Sequence, residues 1–148
     1  MEVAPGELDL GGQPYAVAGG VRARLDLSHT LRGYVIRLRF TAHVAGACMR
    51  CLDGADVAVD VDAREVDQPA EGDEELLSPY VADGELDLAG WAHDALALAL
   101  PAQLLCRPEC RGLCPVCGAS LNDVDPAEHE HPADPDPRWA KLRELKLD

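Results

Sequence analysis

The segments Cys48-Met-Arg-Cys51 and Cys106-Arg-Pro-Glu-Cys110-Arg-Gly-Leu-Cys114-Pro-Val-Cys117-Gly118 contain all six cysteines of the chain. Thiolates offered as C-x-x-C pairs at two places distant in sequence suit a tetrahedral metal, because each short pair spans one edge of the tetrahedron and the fold brings the edges together. Gly118 directly after Cys117 permits the tight turn of a zinc knuckle, whose backbone N–H groups point at sulfur, and Pro115 stiffens that turn. The expected chemistry is therefore one zinc held by four thiolates, with iron an alternative that ligand type does not separate. Which four bind is open at this level. Cys48, Cys51, Cys114 and Cys117 make a two-knuckle ribbon; Cys106, Cys110, Cys114 and Cys117 make a local site; Cys48 and Cys51 with Cys106 and Cys110 leave the last pair over. Four thiolates around one zinc sum to −2, a charge that Arg50, Arg107 and Arg111 are placed to offset.

Competing readings of the same residues are weaker. Buried thiols without a metal rarely fall at i, i+3 twice. A catalytic dithiol usually opens a helix that lowers one thiol's pKa, whereas Cys48 falls at the tip of an expected hairpin. His129-Glu-His131 lies in a Pro-rich acidic linker and reads as solvated polar residues. His43 shares a strand face with Arg37 and Arg39, and His93 falls in an apolar helix. Trp91 and Trp139, at helical spacing, read as core. No glycine-rich phosphate loop, no serine nucleophile elbow and no framed pair of carboxylates occurs, so an enzyme is not expected.

The elements that must position the cysteines follow from periodicity. Ile36, Leu38, Phe40, Ala42 and Val44 alternate with Arg37, Arg39, Thr41 and His43, and Val57, Val59, Val61 and Ala63 alternate with Ala58, Asp60, Asp62 and Arg64. This period of two predicts an antiparallel hairpin with Cys48 and Cys51 at its tip. Upstream, Tyr15 and Val17, then Val21, Ala23, Leu25 and Leu27, read as further strands around the Gly19-Gly20 turn. A helix is predicted from the N-cap Asp87 to Leu100, with Leu88, Trp91, Ala95 and Leu98 on one face and Ala92, Leu96 and Leu100 on its neighbour. Pro101 stops it and the chain runs on to Cys106. Asp136-Pro137 opens a short terminal helix bearing Trp139, Leu142 and Leu145.

The expected fold class is α+β: an antiparallel β-sheet packed against one buried helix, with a Cys-rich zinc-binding element and a short C-terminal helix. Residues 1–12 are expected as a loose lead-in, 13–122 as the α+β zinc-binding domain, and 123–148 as a Pro- and acid-rich linker with the terminal helix. The acidic stretch 67–84 is expected as a loop, and it is counted with 1–12 and 123–135 among the least ordered parts.

At 148 residues the chain suffices for one domain with a core. No apolar run approaches the roughly 20 residues of a membrane span, and the acidic N-terminal stretch is unlike a basic signal peptide. A cytosolic protein is expected, in which reducing conditions disfavour disulfides. The net charge of −14 makes generic nucleic-acid binding a poor default. That charge is uneven: Val21 to Leu52 carries six arginines against Asp26 alone, a local surplus of five that leaves −19 on the rest. Arg22, Arg24, Arg37 and Arg39 are accordingly the candidate RNA contacts, and the acidic remainder suits a basic protein partner.

Taken together, the Cys48–Cys51 hairpin, the Asp87-Leu-Ala … Leu98-Ala-Leu-Pro101 helix, the block from Cys106 to Asn122 and the tail Asp136-Pro-Arg-Trp-Ala-Lys-Leu resemble the YceD family, named for accumulation of large-subunit ribosomal RNA. The resemblance spans about Val21 to Leu147. It implies a non-enzymatic role in ribosome biogenesis. The implied partners are ribosomal proteins or the pre-ribosomal large subunit, with rRNA contact through the arginine strands and no membrane or small-molecule substrate. A zinc-ribbon adaptor unrelated to ribosomes is the alternative, and a thiol oxidoreductase the third.

Overall fold

Strand β6 organises the molecule. In the computed structural model, which describes residues 1–68, 76–125 and 129–131, β6 runs Tyr34–Ala47 and pairs along its full length with β7, Gly54–Asp67, antiparallel from Tyr34↔Asp67 to Ala47↔Gly54. Its other edge is shared by β5 (Arg24–His29), opposite Tyr34–Arg39, and β3 (Gln13–Val17), opposite Val44 and Ala45; β2 (Leu8–Leu10) extends β3. The result is a five-stranded antiparallel sheet. Two short pairs flank it in sequence, β1 (Glu2–Val3) with β4 (Val21–Arg22), and β8 (Val81–Ala82) with β9 (Glu85–Leu86).

The alternation predicted for β6 is the alternation found. Ile36, Leu38, Phe40, Ala42 and Val44 are buried and face the same side as Val59 and Val61 of β7, register partners of Ala42 and Phe40. Helix α1, Leu88–Ala99, covers this side with Trp91, Ala92, Ala95 and Leu96. The Asp87 carboxylate accepts from the Gly90 N–H at 2.9 Å, so the predicted N-cap holds. The buried face is rotated from the predicted one: Leu98 is 88% exposed. The reason is that the sheet contacts the 91/92/95/96 stripe, which places Leu98 beyond its edge. Tyr80 stacks on Trp91 at 6.2 Å between ring centres and donates its hydroxyl to Asp94.

Residues 1–12 are not a loose lead-in. Val3 and Leu8 belong to the core, Ala23 N–H donates to the Met1 carbonyl, and the His93 ring Nδ1 lies 2.8 Å from the Pro5 carbonyl. A segment without visible periodicity is ordered because it donates two short strands to edges built elsewhere. The 67–84 stretch likewise differs from expectation at its described ends. The buried Asp67 carboxylate accepts from Ser78 N–H, Gln68 N–H donates to Leu76, and β8 opens a hairpin. Residues 69–75 and the predicted terminal helix lie outside the described residues, as do Trp139, Leu142 and Leu145. The chain divides into two compact units, Met1–Cys110 and Arg111–Asp148. The boundary thus falls inside the expected 13–122 domain and splits the cysteine block.

Gly46 is where the sheet admits Tyr15. The Tyr15 ring lies against Gly46, where a Cβ would overlap it, and the phenol donates to the Ala47 carbonyl at 2.9 Å. Gly46→Ala is expected to destabilise the protein by about 1–3 kcal/mol, the usual cost of overpacking; chemical denaturation midpoints at constant m-value check it.

Candidate metal centres and the charged sheet face

The tip of the β6–β7 hairpin is six residues, 48–53, closed by Cys48 N–H donating to Asp53 and Leu52 N–H donating to Cys48. Leu52 takes a left-handed backbone, φ 65°, to complete the turn. The turn aims Arg50 N–H at Cys48 Sγ, 3.5 Å away, the knuckle geometry in which backbone dipoles favour thiolate. After α1 the chain turns at Pro101 and meets this tip. Met49 N–H donates to Leu104, Leu104 N–H points at Met49 sulfur, and Leu104 is fully buried. That docking delivers Cys106 and Cys110 to the first pair before the chain reaches Cys114.

The first centre is therefore Cys48, Cys51, Cys106 and Cys110, whose sulfurs all lie within 4.8 Å of one another. Cys48, Cys51 and Cys110 are buried and Cys106 is half-buried. Separations of 3.8 Å for Cys48–Cys110 and 3.6 Å for Cys51–Cys106 are far longer than a disulfide. They match the edge of a tetrahedron with metal–sulfur bonds of about 2.3 Å, which is about 3.8 Å. Arg50 reaches across the centre, donating to the Cys110 carbonyl at 2.9 Å and to Gln103 Oε1. Its guanidinium brings positive charge beside a site that would be −2 with a divalent ion.

The thiols are electrostatically unequal. Burial opposes ionisation of Cys48, but the N–H groups of Cys51, Arg50 and Cys106 outweigh it and bring the thiol down to about 6. At Cys51 the Asp53 N–H favours thiolate, yet burial and the neighbouring Cys48 and Cys106 thiols push it up; burial is also the main cause raising Cys106. Cys48 therefore gives up its proton easily, and Cys51 and Cys106 reluctantly unless a cation shares the site.

The second centre belongs to the Arg111–Asp148 unit and joins two of the expected cysteine ligands to two histidines outside the expected set. Cys114, Cys117, His129 and His131 also place one donor atom each within 4.8 Å of one another. Cys114-Pro-Val-Cys117-Gly118 forms the predicted knuckle: Val116 N–H points at Cys114 Sγ, Gly118 N–H donates to the Cys114 carbonyl, and Gly118 sits at φ 74°. The Cys117 N–H, the His129 ring and the Val116 N–H, in that order, lower the Cys114 thiol to about 6. Arg111, expected near a thiolate charge, instead donates to the Asn122 and Val124 carbonyls. His129 and His131, expected as solvated linker residues, converge on the knuckle. A four-residue spacing rule could not find them, but two histidines two apart downstream of a knuckle is a signal that could have.

The candidate RNA contacts fare differently. Arg37 forms a two-point pair with Asp62, Arg39 pairs with Asp26 at 2.5 Å, and Arg24 pairs with Asp26 at 2.9 Å. Thr41 donates to Asp60, and His43 lies 2.8 Å from Asp56. Arg22 stands opposite Glu2 in the β1–β4 register. Arg39 and Arg24 hold the Asp26 carboxyl below its ordinary value, and Arg37 does the same for Asp62. Arg24 and Arg39 are thus engaged by Asp26 of β5 and Arg37 by Asp62 of β7, so this face is a mixed-charge ladder rather than a cationic track. Among the described residues no helix is long and apolar enough to cross a membrane.

Fold and site together define a small, mostly antiparallel β-sheet protein with one described helix and two cysteine-containing groups able to hold metal. Comparison places it more narrowly. The family model for large ribosomal RNA subunit accumulation protein YceD matches residues 36–146, and the chain belongs to that family. It is 34% identical over 146 residues to an uncharacterized protein of Mycobacterium tuberculosis, covering 92% of this chain and 68% of that one. An uncharacterized protein of Mycobacterium leprae is 36% identical over 111 residues, 71% of this chain and 49% of the relative. A maize chloroplastic protein named large ribosomal RNA subunit accumulation protein YCED homolog 1 is 38% identical over 69 residues, 47% of this chain and 22% of its own length. No solved structure matches.

Proposed function

We propose that this protein is a non-enzymatic factor of ribosome biogenesis that supports accumulation of large-subunit rRNA in the cytoplasm, with a zinc ion on Cys48, Cys51, Cys106 and Cys110 holding its hairpin tip to the segment after α1. Family membership carries the ribosomal part of this reading, since the model spans most of the chain and the maize relative bears the same description. The zinc part is supported by four converging thiols, three of them buried, at separations suited to a tetrahedral ion. When bound, zinc supplies charge neutralisation and crosslinking. The chain's own residues do the rest: the Arg50 N–H favours the Cys48 thiolate, and the Arg50 guanidinium ties the two arms together.

Recognition is by protein surface more than by the arginine strands. With Arg24, Arg37 and Arg39 committed to aspartates and a net charge of −14, contact with a basic ribosomal protein or a pre-ribosomal particle is favoured over naked RNA. Cells lacking the protein are expected to hold less mature large-subunit rRNA, and the protein to co-sediment with large-subunit precursors on sucrose gradients. Purified protein should capture a basic ribosomal protein in a salt-sensitive manner, with Arg37→Gln/Arg39→Gln binding as well or better. Normal rRNA in the deletion strain, with no ribosomal component co-sedimenting, would support an adaptor role instead. RNA binding abolished by the double substitution would restore the strand face as a contact.

A further inference from the structure

The knuckle in the Arg111–Asp148 unit leads to a site of a different kind from the four-thiol centre. We infer that Cys114, Cys117, His129 and His131 form a second, independent zinc centre, so that the chain carries two ions: an enclosed one on four thiolates and an accessible one on two thiolates and two imidazoles.

Two observations carry this. The first is donor geometry. His129 Nε2 lies 3.2 Å from His131 Nε2 and 3.5 Å from Cys117 Sγ, with the two rings at 88° to one another. A tetrahedral zinc with bonds of about 2.05 Å to nitrogen and about 2.3 Å to sulfur has N–N edges of about 3.3 Å and N–S edges of about 3.6 Å. Two imidazole nitrogens meeting edge to edge beside a thiol share a point that one cation can occupy, whereas without it two neutral rings gain a single hydrogen bond at most.

The second is how little else, among the described residues, holds the segment. Among residues 111–125 and 129–131 only Gly112 and Cys114 are buried. Order rests on polar contacts: the Leu113↔Ser120 bridge, Leu121 N–H to Gly112, Cys114 N–H to Ala119, and Arg111 to the Asn122 side chain and the Val124 carbonyl. Short segments with few buried side chains are generally held by a metal, a disulfide or a partner. Cys114 and Cys117 form no disulfide, and a metal site is what the side chains build.

The two centres differ in charge and in access. Two thiolates and two neutral imidazoles balance a divalent cation, so this centre needs no arginine, consistent with Arg111 being spent on backbone carbonyls. Cys117 and His131 are exposed, while three ligands of the other centre are buried. A chelator reaches the second ion directly, but must wait for local opening to reach the first. The inference does not depend on the ribosomal reading.

The test is metal counting on the full chain with zinc as the probe, joined to release into a chromogenic chelator. Wild-type protein saturated with zinc and desalted is expected to hold two ions, released in a fast and a slow phase of equal size. His129→Ala/His131→Ala should hold one and lose only the fast phase, and Cys117→Ser, altered at an exposed position, should do the same; the β-sheet circular dichroism of both should match wild type. Cobalt(II) in place of zinc should give two ligand-field spectra in the wild type and only the four-thiolate one in the histidine variant. One ion per chain in the wild type, two ions retained by the histidine variant, or loss of both ions together would overturn the inference.

Discussion

Cys48→Ser is expected to cost the protein its enclosed metal ion and most of the stability of the Met1–Cys110 unit. Cys48 is fully buried, directly follows β6, and lies 3.8 Å from Cys110 across the centre. Serine there cannot supply a thiolate, and the remaining three sulfurs would share a cation in a buried site with an incomplete shell. Structural zinc sites contribute on the order of 10–16 kcal/mol of apparent binding free energy at neutral pH, because no preformed site exists in the unfolded chain. Total stability of a domain is about 5–15 kcal/mol. The loss is therefore comparable with the whole, even though the β6–β7 core remains. Thermal unfolding with and without chelator, alongside metal content, checks it: a metal-free Cys48→Ser protein melting at the wild-type temperature would show that the sheet needs no clasp. Cys114→Ser, by contrast, should leave this unit's melting unchanged, because Cys114 belongs to the other group.

Trp91→Ala should produce the second-largest loss, about 3–5 kcal/mol, from the removal of a fully buried aromatic side chain and the cavity left behind. Trp91 is, among the described residues, the largest fully buried side chain and is stacked by Tyr80, so its loss uncouples α1 from the sheet and also frees the 76–86 segment. Because α1 leads the chain toward Cys106, the same substitution should weaken metal retention at the first centre. Leu98→Ala serves as the comparison. At 88% exposure it should change stability by less than about 0.5 kcal/mol. Urea denaturation of the two variants, with zinc release followed in parallel, gives the ranking; equal effects at positions 91 and 98 would mean that the helix is seated on a different face.

The hairpin, the N-cap at Asp87 and the stop at Pro101 could be read from residue order because their causes are local. A period of two needs only neighbours to express itself, and a cap needs only the next three residues. The family resemblance was legible for a similar reason, since spaced cysteines and their turns are carried in short runs. Partner choice was not. Three pairings of the cysteines satisfied the spacing equally, and the one found follows from Leu104 docking on Met49, a long-range contact with no sequence signature. The same applies to His129 and His131: in sequence they look like solvent-facing linker, and only the turn of the chain past Asn122 brings their nitrogens to the Cys114 knuckle. Charge shows the difference most clearly. Counted along the chain, residues 21–52 are basic; placed in the sheet, Arg37 meets Asp62 from β7, twenty-five residues away, and Arg39 meets Asp26 from β5, thirteen residues away, because antiparallel register sets distant side chains side by side. Sequence order determines which residues alternate, but ion pairing depends on distance in space, and only the fold sets that distance.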